Sequence, residues 1–188
     1  MPPHRSSGLN AALHTPRLVL EPLLGSHAAA LFPILWDPGT QRWIAEPRAT
    51  SVADLTARWT RNETRTSPDG ATAWLGWAVR RVEDGVYIGK IDAEVDAQLA
   101  PHLAPNVGYV FSPAYWGRGY ATEAVSATVA HLITHGVTEL HATVTVGNDA
   151  SCRVLERCGF ERARVLAAND VIRGVAHDDW LYVRRVGG

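Results

Sequence analysis

Hydrophobic and polar residues alternate in several short stretches of the chain and recur at helical spacing in others. Strands are predicted at 17–20, 73–81, 86–96, 107–111, 140–146, 160–166 and 177–184. Helices are predicted at 27–36, from 51 to about 66, at 120–135 and at 149–158. The order β-α-α-β-β-β-α-β-α-β-β predicts a mixed α/β fold of about seven strands and four helices.

Several element ends carry their own local signals. Ser26 is expected to cap the first helix, and Ser51 with Asp54 forms a capping-box-like start to the second. Asp84-Gly85 lies between two strand patterns, which is a strong hairpin signal. The polar face of the strand after this turn carries Lys90, Asp92 and Glu94.

Length and composition are typical of an ordinary soluble domain. Of 188 residues, 46% are hydrophobic and 20% are charged, with a formal net charge of −1. No basic excess indicates a nucleic acid or a membrane surface as partner. Residues 1–14 are expected to be a flexible leader, and residues 15–188 a single domain. The two cysteines, Cys152 and Cys158, cannot make a disulfide framework, so a reducing cytoplasm is the expected location.

The stretch PAYWGRGYATEA, residues 113–124, carries the clearest chemistry. It follows a predicted strand and opens a predicted helix, whose first N–H groups have no intrahelical partner. Gly117 and Gly119 let a bulky anion approach those donors, because no Cβ intrudes, and Arg118 adds a guanidinium. The stretch therefore predicts a site for a phosphate or a pyrophosphate.

A P-loop is excluded because G-x-x-x-x-G-K-[ST] is absent. Two other interpretations of the stretch remain, a dinucleotide-binding fingerprint and a plain helix start. A dinucleotide fingerprint would need a third glycine where Thr122 stands, and Glu139, at the ribose acid's distance, begins a strand rather than ending one. The stretch could also be a helix start that glycine merely relieves from strain.

YWGRGYATEA resembles the coenzyme A pyrophosphate loop of the GNAT acyltransferase superfamily, whose pattern is [Q/R]-x-x-G-x-[G/A]. Trp116 stands in place of Gln or Arg, which is typical of the RimJ/RimL-type N-terminal acetyltransferases. Further stretches resemble that branch in the same order, from about residue 15 to 184. They are TPRLVLEPL at 15–23, YIG at 87–89, VGYVFSPAYWGRGYATEAV at 107–125, NDASCRVLERCGF at 148–160 and DDWLY at 178–182.

The resemblance implies a mostly antiparallel mixed sheet whose splayed strands, ending at Phe111 and Val146, form a cleft for acetyl-CoA. It implies that the pantetheine arm bonds to Val110, Phe111 and Asn148. The pyrophosphate would lie on the loop residues Trp116, Gly117, Arg118, Gly119, Tyr120, Ala121 and Thr122. Ser151 would protonate or steady the sulfur, although a serine three residues after an asparagine at a helix start is also ordinary capping chemistry.

The implied activity is direct acetyl transfer to a primary amine, most simply the α-amino group of a protein N-terminus. A small-amine acetyltransferase and a non-catalytic coenzyme A-binding module are the alternatives. The general base stays open among Asp170, Glu94, Asp92 and water. No metal is expected, and a homodimer is possible because dimers are common in the branch.

Three further groups of residues are given a structural interpretation or a weak functional one. His131 and His135 have the i, i+4 spacing of zinc ligands but lack the glutamate between them, so packing is expected. The cysteines are expected to be buried without a catalytic role. Trp74 and Trp77 must face opposite sides of their strand, and one of them, or Trp43, could line the acceptor site.

Overall fold

The computed structural model describes residues 6–44, 49–96 and 104–187. The strands form one sheet in the order β1-β2-β3-β4-β5-β6-β8-β7, and every neighbouring pair is antiparallel except β5 with β6. Strands β1 to β8 span Leu13–His14, Leu18–Pro22, Thr72–Arg81, Tyr87–Asp96, Asn106–Phe111, Glu139–Thr145, Glu161–Ile172 and Val175–Arg185. Helices α1 to α6 span Ser6–Leu9, Ala28–Trp36, Pro38–Gln41, Val52–Arg61, Tyr120–Thr134 and Asp149–Arg157. The predicted mixed, mostly antiparallel sheet is confirmed.

The local signals were mostly correct. The Ser51 side chain caps α4 by accepting a hydrogen bond from the Asp54 N–H at 3.1 Å. The Asp54 carboxylate accepts from the N–H of Thr50, one residue before the cap, so the reciprocal bond of a true capping box is displaced by one residue. The hairpin at Gly85 also forms, with φ of +72° at the glycine. Part of the proline-rich loop after β4, residues 97–103, lies outside the described residues.

Two predicted helix ends were wrong. Ser26 does not cap α2, because a 3-10 turn over Gly25–His27 precedes that helix and the His27 ring accepts from the Leu24 N–H. Helix α4 ends at Arg61 rather than near Thr66, because a second 3-10 turn follows and Arg65 adopts a left-handed φ of 60°.

The two faces of the sheet carry different helices. Trp77 of β3 is fully buried on the face that α5 covers, where its ring meets His131. Ala78, the next residue, packs on the opposite face with Leu31 of α2. Helix α6 lies on the α5 face, where Leu155 joins the same core as Trp77. The face of α2 and α4 is therefore separate from the face of α5 and α6.

Part of the stretch assigned to a leader packs against the sheet. Leu9 is buried in the main core, and Asn10 is buried beside it. The Asn10 side-chain amide donates to the carbonyl of Gly76 and accepts from its N–H, both at 2.9 Å. The Trp77 indole donates to the carbonyl of Ala11 at 2.8 Å. These contacts are made by residues 9–11, which lie within the stretch 1–14 that was expected to be a flexible leader.

Candidate active site

The glycine-rich loop connects β5 to α5. A 3-10 turn over Pro113–Tyr115 leads from the strand into the loop, and α5 begins at Tyr120. Gly117 and Gly119 adopt left-handed φ values of 73° and 79°, which any L side chain would strain. A Cβ built at Gly117 would meet no atom within 4 Å, so the loop is open on that side. The sequence-based expectation of an exposed glycine loop at a helix start is thus met.

The side chains of the loop hold it in shape. The Trp116 indole donates to the Phe111 carbonyl at 2.7 Å and closes the loop onto the end of β5, although the side chain is 47% exposed. The Tyr120 ring is buried, and the Arg118 guanidinium lies 5.5 Å from the centre of the Tyr115 ring. The anion donors at this site are therefore mainly backbone N–H groups and the Arg118 side chain.

Backbone N–H groups in the loop remain free for a ligand. In the described chain, none of the loop's backbone hydrogen bonds uses the N–H of Gly117, Arg118 or Gly119 as donor. Ala121 and Thr122 lie in the first turn of α5, where N–H groups have no intrahelical partner. The N–H groups of these five residues and the positive end of the helix dipole thus lie together at the start of α5.

An ion pair that sequence reasoning missed braces this loop. The Arg17 guanidinium binds the Glu123 carboxylate at 2.6 Å, donates to the Arg118 carbonyl at 3.0 Å and lies over the Tyr120 ring. Burial alone would raise the pKa of Glu123, but hydrogen bonds from Thr15 and Arg17 outweigh it and lower the pKa. Glu123 in the first helical turn was a visible signal, whereas its partner is 106 residues away.

Strands β5 and β6 separate next to the loop. Their parallel pairing is confined to Asn106 and His141, and the His141 N–H donates to the Pro105 carbonyl at 2.8 Å. Beyond this point β6 pairs only with β8, up to Thr145. A cleft therefore opens between the ends of β5 and β6, as the family resemblance implied.

Alternation along β5 decides which backbone groups face the cleft. The Ser112 N–H donates to the Ile88 carbonyl of β4, and Val110 is the register partner of Lys90 in the same ladder. Antiparallel strands alternate their bonding direction, so Val110 bonds to β4 while Tyr109 and Phe111 direct their backbone groups toward the cleft. Val110 packs instead on the α2 face.

Helix α6 begins at the far side of the cleft with Asn148 as its cap. The Asn148 side-chain oxygen accepts from the Ser151 N–H at 3.3 Å. The Tyr109 hydroxyl reaches across from β5 and donates to the Ser151 carbonyl at 3.0 Å, and burial raises the pKa of this phenol. The Ser151 side chain is within hydrogen-bonding reach of the Tyr109 hydroxyl, and its N–H is capped by Asn148.

A glycine loop at a helix start beside a cleft between splayed strands matches a known family of enzymes. The family model described as "Acetyltransferase (GNAT) domain" matches residues 17–161. The chain belongs to the GNAT acetyltransferase family. Members of this family are N-acetyltransferases that use acetyl-CoA, and this chain is one of these enzymes.

Relatives and solved structures agree with this assignment. The uncharacterized N-acetyltransferase YoaA of Bacillus subtilis is 25% identical over 90% of this chain and 94% of its own. The FsC-acetyl coenzyme A-N(2)-transacetylase of Aspergillus fumigatus is also 25% identical, over 92% of this chain and 79% of its own. RimL, a ribosomal L7/L12 α-N-protein acetyltransferase solved with coenzyme A, shares the fold with a TM-score of 0.79 at 19% identity, over 93% of this chain and 98% of its own.

A cavity of about 270 Å³ lies on the α4 face of this GNAT sheet. Trp74, Asp92 and Glu94 line its floor, and α4 and the turn after it contribute Arg58 and Arg65 to its wall. Gly108 of β5 is the register partner of Asp92, so the cavity lies one strand away from the cleft. Two of the predicted base candidates and one of the predicted acceptor-site tryptophans therefore meet in one cavity.

The candidates for the general base and the acceptor site differ in their surroundings. Within the cavity, Asp92 is ion-paired with the buried Lys90, whereas Glu94 is exposed. Asp170 lies on β7, beyond β6 and β8, and burial raises the pKa of its carboxyl, as does the nearby Asp179. Trp43 is half-buried and stacks with Arg42 outside the cavity's lining.

The discounted residues have structural contacts. His131 bonds through Nε2 to the Leu9 carbonyl at 2.9 Å, and the His135 ring bonds to the His131 carbonyl. Cys152 and Cys158 are free and buried, and burial raises the pKa of the Cys158 thiol. Among the described residues no group of three or more His, Cys, Asp or Glu side chains could hold a metal ion. No helix in the described ranges has the length and apolar character needed to cross a bilayer.

Proposed function

We propose that this chain transfers the acetyl group of acetyl-CoA directly to a primary amine, with the α-amino group of a protein N-terminus as the acceptor. The observation that carries the donor assignment is the open loop at the start of α5 beside the splayed cleft. The N–H groups from Gly117 to Thr122 and the Arg118 guanidinium would hold the pyrophosphate. Asn148 and the cleft-facing backbone of Tyr109 and Phe111 would bond the pantetheine arm like an added strand, in place of the Val110 contact expected from sequence.

In the proposed reaction the neutral amine attacks the thioester carbonyl, a C–N bond forms and the C–S bond breaks. The Ser151 hydroxyl, at the start of α6 beside the Tyr109 hydroxyl, would give a proton to the departing thiolate. A base must first remove a proton from the acceptor ammonium, and Asp170, Glu94, Asp92 and water remain its candidates. Orientation in the cleft would supply much of the rate enhancement.

Support for a protein N-terminus as acceptor comes from the branch resemblance and from fold. Besides RimL, the ribosomal-protein-S5-alanine acetyltransferase of Vibrio fischeri shares the fold with a TM-score of 0.79, over 93% of this chain and 96% of its own, at 16% identity. The cavity beside Trp74 and Glu94 is on the face opposite α5 and α6, where an extended N-terminal residue would have room. A homodimer and a cytoplasmic location belong to the same proposal.

A small amine is the second candidate acceptor. It is favoured by the Aspergillus fumigatus relative, whose name describes an acetyl coenzyme A-dependent N(2)-transacetylase rather than an enzyme acting on ribosomal protein. The cavity has both signs of charge at its wall, with Arg58 and Arg65 facing the strand that carries Asp92 and Glu94. Such a wall suits a small zwitterion as well as a peptide end.

Acetyl-CoA-dependent thiol release with an acceptor panel tests the proposal. The panel holds peptides differing at the N-terminal residue, their N-blocked forms, polyamines, aminosugars and free amino acids. We expect turnover with free peptides and none with the blocked forms. Turnover confined to a small amine would replace the first candidate by the second. Tight acetyl-CoA binding without turnover of any acceptor would favour a non-catalytic coenzyme A-binding module.

A further inference from the structure

Two arginines form one wall of the cavity on the α4 face. Arg58 lies in the last turn of α4, Arg65 follows the 3-10 turn after that helix, and both residues are half-buried. The Arg65 guanidinium donates to the Leu23 carbonyl. Burial lowers the pKa of Arg65, whereas the nearby Glu63 carboxylate opposes this change. The Leu23 bond uses one of the five N–H donors of the guanidinium, so this wall is chemically suited to bind a carboxylate.

The opposite side of the cavity carries two carboxylates. Asp92 is paired with the buried Lys90 within the lining itself, so the charges of these two side chains offset each other. Glu94 is exposed, and water screens its charge. Three cationic and two anionic side chains thus line the cavity, which gives the lining a formal excess of one positive charge. The cavity therefore favours a negatively charged group beside Arg58 and Arg65.

Gly108 of β5 lies between this cavity and the cleft. It is the register partner of Asp92, so the two residues share the face of the sheet toward α4. A Cβ built at Gly108 would meet no described atom within 4 Å. The surface of the sheet is therefore open at this point, and an extended molecule can lie across β5 with one end in the cavity and the other in the cleft.

The spacing of the strands sets the length that such a molecule must span. Neighbouring strands lie about 4.8 Å apart, so Asp92 on β4 is about 10 Å from the position that an added strand would occupy beyond β5. In a free α-amino acid the amine and the carboxylate are attached to one carbon atom and cannot span this distance. One extended residue of about 3.5 Å followed by a glutamate side chain comes close to it.

We infer that the acceptor is a peptide N-terminus with an acidic side chain at its second residue, and that Arg58 and Arg65 bind this carboxylate as specificity-determining residues. The inference rests on the proposed function and names the acceptor class within it. The α-amino group would lie across Gly108 in the cleft. Because the arginines bind a part of the acceptor that does not react, they should lower KM more than they raise kcat.

Steady-state kinetics with three matched peptides test the inference. The peptides are identical except for glutamate, glutamine or lysine at the second residue. We expect kcat/KM to be at least ~10-fold higher with glutamate than with glutamine, mainly through a lower KM, and to be lowest with lysine. Equal values with glutamate and glutamine, or a preference for lysine, would overturn the inference.

Arg58→Gln and Arg65→Gln should each reduce the preference for the glutamate peptide to about 3-fold or less, because the guanidinium charge is lost. Arg61→Gln is the matched control, since Arg61 lies in the same last turn of α4 but is exposed and outside the cavity's lining. The acetyl-CoA dissociation constant checks that each variant is folded. If the loss of the Leu23 bond unfolds Arg65→Gln, Arg58→Gln alone decides. An unchanged preference in a folded cavity variant, or an equal fall in Arg61→Gln, would overturn the assignment of the arginines.

Gly108→Val tests the path across β5. Valine is favoured in strands, and the open space at Gly108 accommodates its side chain in the free protein. The side chain should obstruct the acceptor, so we expect KM to rise at least ~10-fold for all three peptides while the acetyl-CoA dissociation constant stays the same. An unchanged KM would contradict this path.

Carboxylate binding can also be measured without turnover, because Trp59 and Trp74 line the cavity. With coenzyme A present, tryptophan fluorescence should give a dissociation constant at least ~10-fold lower for the glutamate peptide than for the glutamine peptide. Free glutamate supplies the same chemical group on a small molecule, and turnover confined to it would overturn the peptide assignment. Absence of thiol release with every acceptor would overturn the proposed function, and the fluorescence titration would still decide whether the cavity binds the carboxylate.

Discussion

Ser151 lies at the start of α6, where the sequence motif is compatible with either helix capping or catalysis. Asparagine and serine three residues apart at a helix start fit both capping and catalysis. In the structure Asn148 accepts from the Ser151 N–H, and the Ser151 side chain lies within hydrogen-bonding reach of the Tyr109 hydroxyl. Capping is therefore the role of Asn148, and the Ser151 hydroxyl is not used as the cap.

At the residue scale we predict that Ser151→Ala lowers kcat for acetyl transfer by about 100-fold, because the thiolate loses its proton donor. The melting temperature should hardly change, since the helix cap is retained. Asn148→Ala is the matched variant, and it should cost about 1 kcal/mol of unfolding free energy through loss of the cap. Steady-state kinetics and chemical denaturation measure the two effects. Full activity in Ser151→Ala would exclude the hydroxyl as the acid.

Residues whose role depends on local sequence were the predictable ones. Gly117 and Gly119 announce a left-handed loop at a helix start, and the structure has that loop. Arg17 could not be found this way, because it contacts Glu123, which only the fold brings near. Val110 was misplaced for a similar reason, since the bonding direction along β5 depends on its pairing with β4.

At the element scale, the ion pair between Arg17 and Glu123 connects the residue before β2 to the first turn of α5. The Arg17 side chain is 47% exposed and that of Glu123 is 17% exposed, and Thr15 adds a hydrogen bond of 2.6 Å to the same carboxylate. Arg17 also donates a hydrogen bond to the Arg118 carbonyl, so the ion pair helps to position the glycine-rich loop. We therefore expect it to contribute to both stability and cofactor affinity.

The ion pair predicts that the effect of Glu123→Gln on the unfolding free energy depends on pH. The folded-state pKa of Glu123 lies below its ordinary value of 4.5, so its contribution is present above that pH and is lost as the pH falls through the folded value. At pH 7 the variant should lose about 1 kcal/mol of unfolding free energy, with a smaller deficit near pH 3. Urea denaturation at both pH values measures this. Glu161→Gln, at an exposed position, is the control, and a deficit that is constant with pH would contradict the assignment.

Elements with a buried face were predicted better than exposed ones. Helix α5 was placed almost to the residue, because one face of it is apolar and Gly136 follows it. The hairpin of β7 and β8 is longer than predicted, because most of β7 is exposed and shows no alternation of hydrophobic residues.

At the scale of the whole molecule, the chain before residue 15 contributes to the fold. Asn10 is the clearest case, since its side chain satisfies both backbone groups of Gly76 in the middle of the sheet. The sequence around Asn10 is rich in small and polar residues, so it gave no reason to expect a buried contact with a residue 66 positions away.

We predict that Asn10→Ala lowers the unfolding free energy by about 2 kcal/mol, because it leaves the buried Gly76 N–H without a partner, while the Gly76 carbonyl keeps only its bond from the Leu23 N–H. Asn62→Ala, at an exposed position after α4, is the matched control and should cost much less. Chemical denaturation at neutral pH compares them. Equal stability of Asn10→Ala and the unaltered protein would show that this contact contributes nothing to the fold.

The fold and the position of the glycine-rich loop could be predicted from sequence, because their signals are local and occur in a fixed order. The acceptor could not, because the cavity is assembled from α4, β3 and β4, and its specificity depends on side chains that no motif describes. The general base belongs to the same class, since it is defined by position relative to the cleft.

Acetyl-CoA binding to Gly119→Glu tests the central claim most directly. Isothermal titration calorimetry should show a dissociation constant at least ~100-fold weaker than that of the unaltered protein, because a carboxylate and its bulk would occupy the anion site. Gly70→Glu is the control, since Gly70 has a similar φ of +73° with open space around it and lies in a turn after α4. Unchanged affinity in Gly119→Glu, or an equal loss in Gly70→Glu, would contradict the assignment of this loop to coenzyme A.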